Sequence, residues 1–133
     1  MKKLIGIFLL FSPFTWAQTT PEPIGEHTGV INGIALSGKN LAVVDADFNL
    51  IVWETDLKKS GKPSKEHKDA VNAVAYSPDG MTLITASEDR NAILWKVPNK
   101  KLFELKGHAA AILAVAFHPT GKTVISASKD KTI

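Results

Sequence analysis

His67, Ser87 and Asp89 bring an imidazole, a hydroxyl and a carboxylate into one short stretch of the chain. Those are the parts of an acyl-transfer triad, in which the imidazole takes the hydroxyl proton and the carboxylate orients the imidazole. Such chemistry needs one exposed nucleophile beside one oxyanion site. Here the histidine and aspartate recur, as His27 with Asp47 and as His108 with Asp130, and the set around His67 is closed by Trp95. A set copied along the chain reads as construction rather than catalysis. The sequence has no cysteine, which excludes disulfides, thiolate metal sites, thiol catalysis, a lipid-modified cysteine and Cys-x-x-Cys-His haem attachment. Nor is there a Gly-rich phosphate cradle or a paired-carboxylate motif apart from the repeats.

The segments that must position these residues repeat as well. Aligned on histidine, EHTGVINGIAL begins at Glu26, EHKDAVNAVAY at Glu66 and GHAAAILAVAF at Gly107, with the histidines 40 and 41 residues apart. The second halves DADFNLIVW, SEDRNAILW and SKDKTI end at Trp53, Trp95 and Ile133, and place Asp47, Asp89 and Asp130 alike. Histidine and aspartate are 22 residues apart in copies two and three and 20 in copy one, whose turn SGKN is shorter than SPDGMT. Loops absorb such a change at little cost.

Within a copy the pattern is that of strands. VNAVAY and ILAVAF are short apolar and β-branched runs followed by SPDG and HPTG, whose Pro at the second and Gly at the fourth position favour a type I turn. MTLITAS and KTVISAS resume as strands, a tight turn around EDRN leads into AILW, and VPNKKLFELK is a fourth, poorer strand. The expectation is four short antiparallel strands per roughly 40 residues.

These residues resemble the WD-repeat β-propeller family, whose blades run from a Gly-His pair to a Trp-Asp pair over this length. Departures are Glu26 and Glu66 in place of Gly before the first two histidines, Trp53-Glu54 and Trp95-Lys96 in place of Trp-Asp, and Val43 and Asp45 at the serine positions of copy one. The resemblance implies an all-β fold of four-stranded antiparallel blades, present as an incomplete propeller and an N-terminal fragment. Repeat one covers 24–65, repeat two 66–106 and repeat three, truncated, 107–133. It implies a structural hydrogen-bond tetrad, with Asp89 orienting His67 and a hydroxyl of Thr85 or Ser87 linking His67 to Trp95. The matching residues are His108, Ser126, Ser128 and Asp130 in copy three, and His27, Asp47 and Trp53 in copy one. Trp53, Trp95, Tyr76, Phe103 and Phe117 are expected in the core between blades. Equivalent histidines on neighbouring blades lie roughly 10 Å or more apart, whereas metal–nitrogen bonds are about 2 Å, so they cannot share one ion. His118, ahead of Pro119, is expected in a solvent-facing turn.

The first seventeen residues, a basic MKK, an apolar LIGIFLLFSPFTW and Ala17, have the layout of a secretory signal peptide cleaved between Ala17 and Gln18, with 18–23 as a linker. Ser12, Pro13 and Thr15 break the apolar run before it reaches the roughly 20 residues of a membrane span. Loss of Lys2 and Lys3 takes the formal charge from +3 to near +1, so the basic balance does not point to nucleic acid. The expected location is the bacterial periplasm, or otherwise the secretory route. The lysine-rich connector Asp56 to Lys68 is interrupted by Glu66 and carries no aromatic, and reads as a solvated loop.

The leading functional expectation is an exported protein-interaction scaffold with no chemistry and no cofactor of its own, whose remaining blades come from C-terminal sequence. Glu22 to His27 resembles the outer strand that completes a last blade in this family. A protein partner would meet loops at one end of the ring, at Asp69, Asn72, Glu88 and Arg90 in the second copy and Leu113 and Lys129 in the third. The alternative is a larger periplasmic enzyme or c-type haem protein with its chemistry beyond Ile133.

Overall fold

A computed structural model describes residues 25–54 and 59–133. The signal segment, its cleavage site at Ala17 and Gln18, the linker and the start of the lysine-rich connector lie outside the described residues.

Among the described residues every regular element is a strand, and the strands fall into three antiparallel sheets that follow the sequence copies. The first sheet runs in the order β1 (Ile31–Ser37), β2 (Asn40–Asp45), β3 (Leu50–Glu54), β4 (Lys59–Ser60). The second has β5 (Val71–Tyr76), β6 (Thr82–Ser87), β7 (Ala92–Lys96) and β8 (Lys100–Leu105). The third pairs β9 (Ile112–Phe117) with β10 (Val124–Ser128). These are two four-stranded blades and the inner half of a third, and no ring is closed among the described residues.

Equivalent registers make the blades superimposable in kind. Val74 pairs with Thr85 and Thr85 with Ile93, as Ile34 pairs with Val43 and Val43 with Ile51. Each first strand carries a bulge, spanning Ile31/Gly33, Val71/Ala73 and, against Ala127/Ser128, the residue after Ile112. The bulged residue is thus Asn32, Asn72 or Leu113, and a bulge turns its side chain out of the ladder's alternation.

Alternate side chains of each blade go to opposite neighbours, because successive Cβ atoms leave opposite faces of a sheet. Ala42, Val44, Leu50 and Val52 of the first blade pack with Val71, Leu83, Ile93 and Trp95 of the second, with Val74 and Tyr76 against them. Ile84, Ala86 and Ala92 of the second pack with Ile112, flanked by Val115, Phe117 and Val124. Leu41, Val43, Ile51 and Trp53 line the opposite face of the first blade. Phe103 departs from expectation, since it is 64% exposed. It lies opposite Leu94 on the outer strand β8, and the side it shares with Leu94 faces a sheet that has only two inner strands. Gly25 to His27 form no strand, and a Cβ on Gly25 would fall within the Trp53 ring.

Tight turns after the second strand of each sheet put Phe48, Arg90 and Lys131 at φ 70°, 72° and 71°, a region that costs a non-glycine residue about 1–2 kcal/mol. Gly80 holds φ 69° in the SPDG turn, where Ser37 Oγ lies close to the place of a Cβ. Arg90→Gly is expected to leave the melting temperature unchanged or raise it, by up to about 1 kcal/mol of stability. Gly80→Ala is expected to lower it, and thermal melts followed by circular dichroism distinguish the two.

Candidate functional site

The second blade shows how the recurrent polar residues are joined. Trp95 Nε1–H donates to Thr85 Oγ1 at 2.9 Å, and Thr85 Oγ1 lies 2.8 Å from His67 Nε2. His67 Nδ1 lies 2.9 Å from Asp89 Oδ2. A single proton arrangement satisfies all three links: indole N–H to hydroxyl oxygen, hydroxyl hydrogen to Nε2, and Nδ1–H to carboxylate. The chain runs from the third strand through the second to the entry loop and the tight turn. Ser87 does not touch His67. Its hydroxyl donates to the Asp69 carbonyl and accepts from the Asp89 N–H.

Burial decides what this set can do. Thr85 and Ser87 are fully buried and His67 nearly so. An Asp–His–hydroxyl array closed off by an indole has no route for a substrate carbonyl and no exposed nucleophile. Burial holds His67 below the usual imidazole range, against the opposing pull of Asp89. For Asp89, burial raises the carboxyl, and the Lys68 and Asn91 N–H groups with His67 outweigh it, keeping the carboxyl below normal.

The third copy repeats the arrangement as far as it goes. His108 Nδ1 is 2.9 Å from Asp130 Oδ2, His108 Nε2 is 2.9 Å from Ser126 Oγ, and Ser128 Oγ donates to the Ala110 and Ala111 carbonyls. The Thr132 hydroxyl leads the interactions that hold Asp130 well below the usual carboxylate range.

The first copy is wired differently, and Asp47 is not the residue that orients its histidine. His27 Nδ1 meets Asp45 Oδ2 at 2.8 Å. Asp45 occupies the register of Ser87, since each pairs with the first residue of its blade. With the longer carboxylate there, one side chain reaches the histidine and also accepts the Asp47 and Asn49 N–H groups and the Asn49 amide. Burial raises the Asp45 carboxyl, but the His27 and Asn49 hydrogen bonds prevail and hold it low. Asp47 is exposed. Val43 stands where Thr85 stands in the second blade, so His27 Nε2 is buried with no hydrogen-bond partner among the described residues, and Trp53 lies beside the ring at 6.4 Å between centroids.

The residues expected at a partner's contact divide into two sets. Asp69, Arg90, Leu113 and Lys129 are exposed along one rim. Asn72 and Glu88 are half-buried and link blades: Asn72 Nδ2 donates to the Ile112 carbonyl at 2.9 Å and to Glu88 at 3.1 Å, and Lys129 Nζ sits 3.1 Å from Glu88. The Lys129 hydrogen bond is foremost in keeping the Glu88 carboxyl below normal. Asn32 makes the same bond to the Val71 carbonyl at 3.0 Å. Sequence reasoning missed this inter-blade clip, although asparagine at the same place in two copies was its signal. The rim loop is fixed by the Glu88 N–H to Ala70 carbonyl bond and its counterpart from Lys129 to Ala111. His118 is exposed in its turn, with Nδ1 2.8 Å from the Thr120 hydroxyl. No three metal-ligating side chains converge among the described residues.

The family model for the WD domain, G-beta repeat, matches residues 59–96 and 99–133, more than half of the chain. The chain belongs to the WD40 repeat family. The matched segments are those of the second and third blades, and the first, with Val43 and Asp45, falls almost wholly outside them. Retinoblastoma-binding-like protein E of Dictyostelium discoideum is 34% identical over 53 residues, 40% of this chain and 10% of that protein. WD repeat-containing protein 1 of Mus musculus is 33% identical over 82 residues, 56% of this chain and 13% of that protein. The chain spans about a tenth of the length of these curated relatives. WD40 repeats are in general protein-interaction scaffolds.

Thr85→Val would strip two buried groups, His67 Nε2 and Trp95 Nε1, of their partner, and is expected to cost about 1–3 kcal/mol for each. Val43→Thr in the first blade would supply His27 Nε2 with a hydroxyl and is expected to add about 1 kcal/mol. Urea unfolding midpoints at constant m-value check both signs. Because the folded state disfavours the protonated His67, its contribution is complete above pH 6.5 and is lost as pH falls to the depressed folded value. The urea midpoint is expected to fall on acidification through that window, and less steeply for His67→Gln.

Proposed function

We propose that this chain is an exported WD40 scaffold that binds a protein through the rim of Asp69, Arg90, Leu113 and Lys129. The observation that carries the reading is the division of labour in the second and third blades. The histidine, hydroxyl and aspartate that could have done chemistry, buried or half-buried, are engaged in holding the turn and the entry loop together. The side chains beside them, mixed in charge and with one exposed leucine, face outward, with Lys129 also pairing with Glu88. Interfaces of this kind join a small apolar contact to a polar, charged surround.

Export is supported by the basic and apolar leader that ends at Ala17. Alkaline phosphatase, active only once its disulfides form outside the cytoplasm, is the reporter: fused after Ile133 and expressed in a bacterium, it is expected to be active. The mature N-terminus is expected at Gln18 by mass. An inactive fusion with an intact Met1 would overturn the export reading.

For the rim, a photo-crosslinking phenylalanine at Asp69 or Arg90 is expected to capture a discrete polypeptide in the native host. The same group at Lys122, in the turn at the far end of β9 and β10, is expected to capture none. Equal capture from all three positions, or none from any, refutes the placement.

A further inference from the structure

The two ends of the blades carry charge differently. At the end opposite the rim, the β1–β2, β5–β6 and β9–β10 turns come together: a Cβ on Gly80 would meet Ser37 Oγ, and one on Gly121 would lie 3.6 Å from Pro78 Cδ. The β7–β8 turn joins them, since the Val97 N–H donates to the Met81 carbonyl at 3.0 Å, and Asn99 Nδ2 reaches on to the Lys62 carbonyl at 2.8 Å. This end therefore gathers Lys39, Lys62, Lys96, Lys100 and Lys122, and all five are exposed. Its acids are Glu54 and Asp79, and the Asp79 carboxylate already accepts the Ser77 hydroxyl and the Met81 N–H. At the rim each cation has an acid beside it in the chain: Lys68 precedes Asp69, Arg90 follows Asp89, and Lys129 and Lys131 flank Asp130.

The fold does not require this concentration of lysine. In the first blade Glu54, the last residue of β3, stands across the ladder from Lys59, so opposite charges face each other. In the second blade the last residue of β7 is Lys96, and it stands across from Lys100. Like charges directly opposite one another destabilise a sheet, and an anion outside the blade would relieve them. Lys62, Lys96, Lys100 and Lys122 take part in no ion pair among the described residues. Among them projects Met81, 66% exposed, with Pro78 and Pro98 also exposed.

We infer that this end of the blades is a docking surface for an anionic phospholipid bilayer. Met81 enters the headgroup layer, and the lysines around it meet phosphates. An ammonium is a hydrated point charge on a flexible stem and fits a diffuse layer of phosphate, whereas planar bidentate capture of one anion calls for arginine. The single arginine of the chain, Arg90, is at the rim. Single-stranded nucleic acid would need aromatic side chains on which to stack its bases, and at this end Tyr76 and Phe117 are packed against the clusters between blades. Docked in this way, the blades turn their rim away from the bilayer.

The chain has no cysteine, so Met81→Cys and Ala109→Cys each accept one environment-sensitive fluorophore, the first at the lysine end and the second at the rim. Both labelled full chains keep the same leader, so binding through residues 1–17 does not favour one label over the other. Titrated with phosphatidylcholine vesicles containing about a third phosphatidylglycerol, the label at Met81 is expected to brighten saturably and the label at Ala109 to stay unchanged. Phosphatidylcholine alone is expected to leave both unchanged. Raising the salt from about 0.1 M to about 1 M, which shortens the screening length from about 10 Å to about 3 Å, is expected to abolish the response. Each lysine near an anionic surface is worth about fivefold, so Lys96→Gln with Lys100→Gln is expected to raise the lipid concentration needed by about tenfold or more, and Lys39→Gln with Lys122→Gln likewise. Circular dichroism shows whether the variants keep their strands, and the lipid and salt comparisons need no lysine variant. No brightening at Met81, equal brightening at Ala109, indifference to both lysine pairs, or displacement of the vesicles by polyglutamate or duplex DNA at an equal concentration of charge would each overturn the proposal. None of these outcomes bears on capture of a protein at the rim.

Discussion

The bond from Trp95 Nε1 to Thr85 Oγ1, continued to His67 and Asp89, is the interaction on which the second blade depends. An indole in a strand, a hydroxyl in its neighbour, an imidazole in the entry loop and a carboxylate in the tight turn are each costly to bury alone. Joined end to end they satisfy one another, and in doing so they tie the entry loop and the tight turn to the paired strands β6 and β7. The exposed rim follows from that, because Asp69 and Arg90 project from the same loop and turn.

The first blade reaches a similar result by another route. Moving the carboxylate from the turn to the Ser87 register lets Asp45 gather His27, Asn49 and two backbone N–H groups into one buried node. The hydroxyl link to tryptophan is given up, since Val43 stands in its place, and His27 Nε2 is left without a partner among the described residues. Packing around Leu41, Val43, Ile51 and Trp53 takes over from the missing polar link. Between blades, asparagine at the bulge is the common device. Asn32 and Asn72 each reach the first-strand carbonyl of the next sheet, and Leu113 in the third copy leaves the rim apolar at the equivalent point.

What the sequence by itself determined was whatever repeats. The 40-residue period, the turn residues SPDG and HPTG and the alternation of the strands sufficed for four-stranded antiparallel blades, because strand periodicity and turn chemistry are local properties. His67, Asp89 and Trp95 were legible for the same reason. Tertiary structure alone decided which polar atoms meet. Asp45 rather than Asp47 holds His27, because strand register, not distance along the chain, brings a side chain to a ring. Thr85 rather than Ser87 bridges to Trp95, because Thr85 stands two residues and Ser87 four from Leu83, the residue paired with Trp95. Asn72 and Glu88 link blades rather than stand free, and Phe103 is exposed rather than in the core. Such outcomes depend on which neighbouring sheet covers a face, and that information is carried by the packed blades rather than by any single stretch of residues.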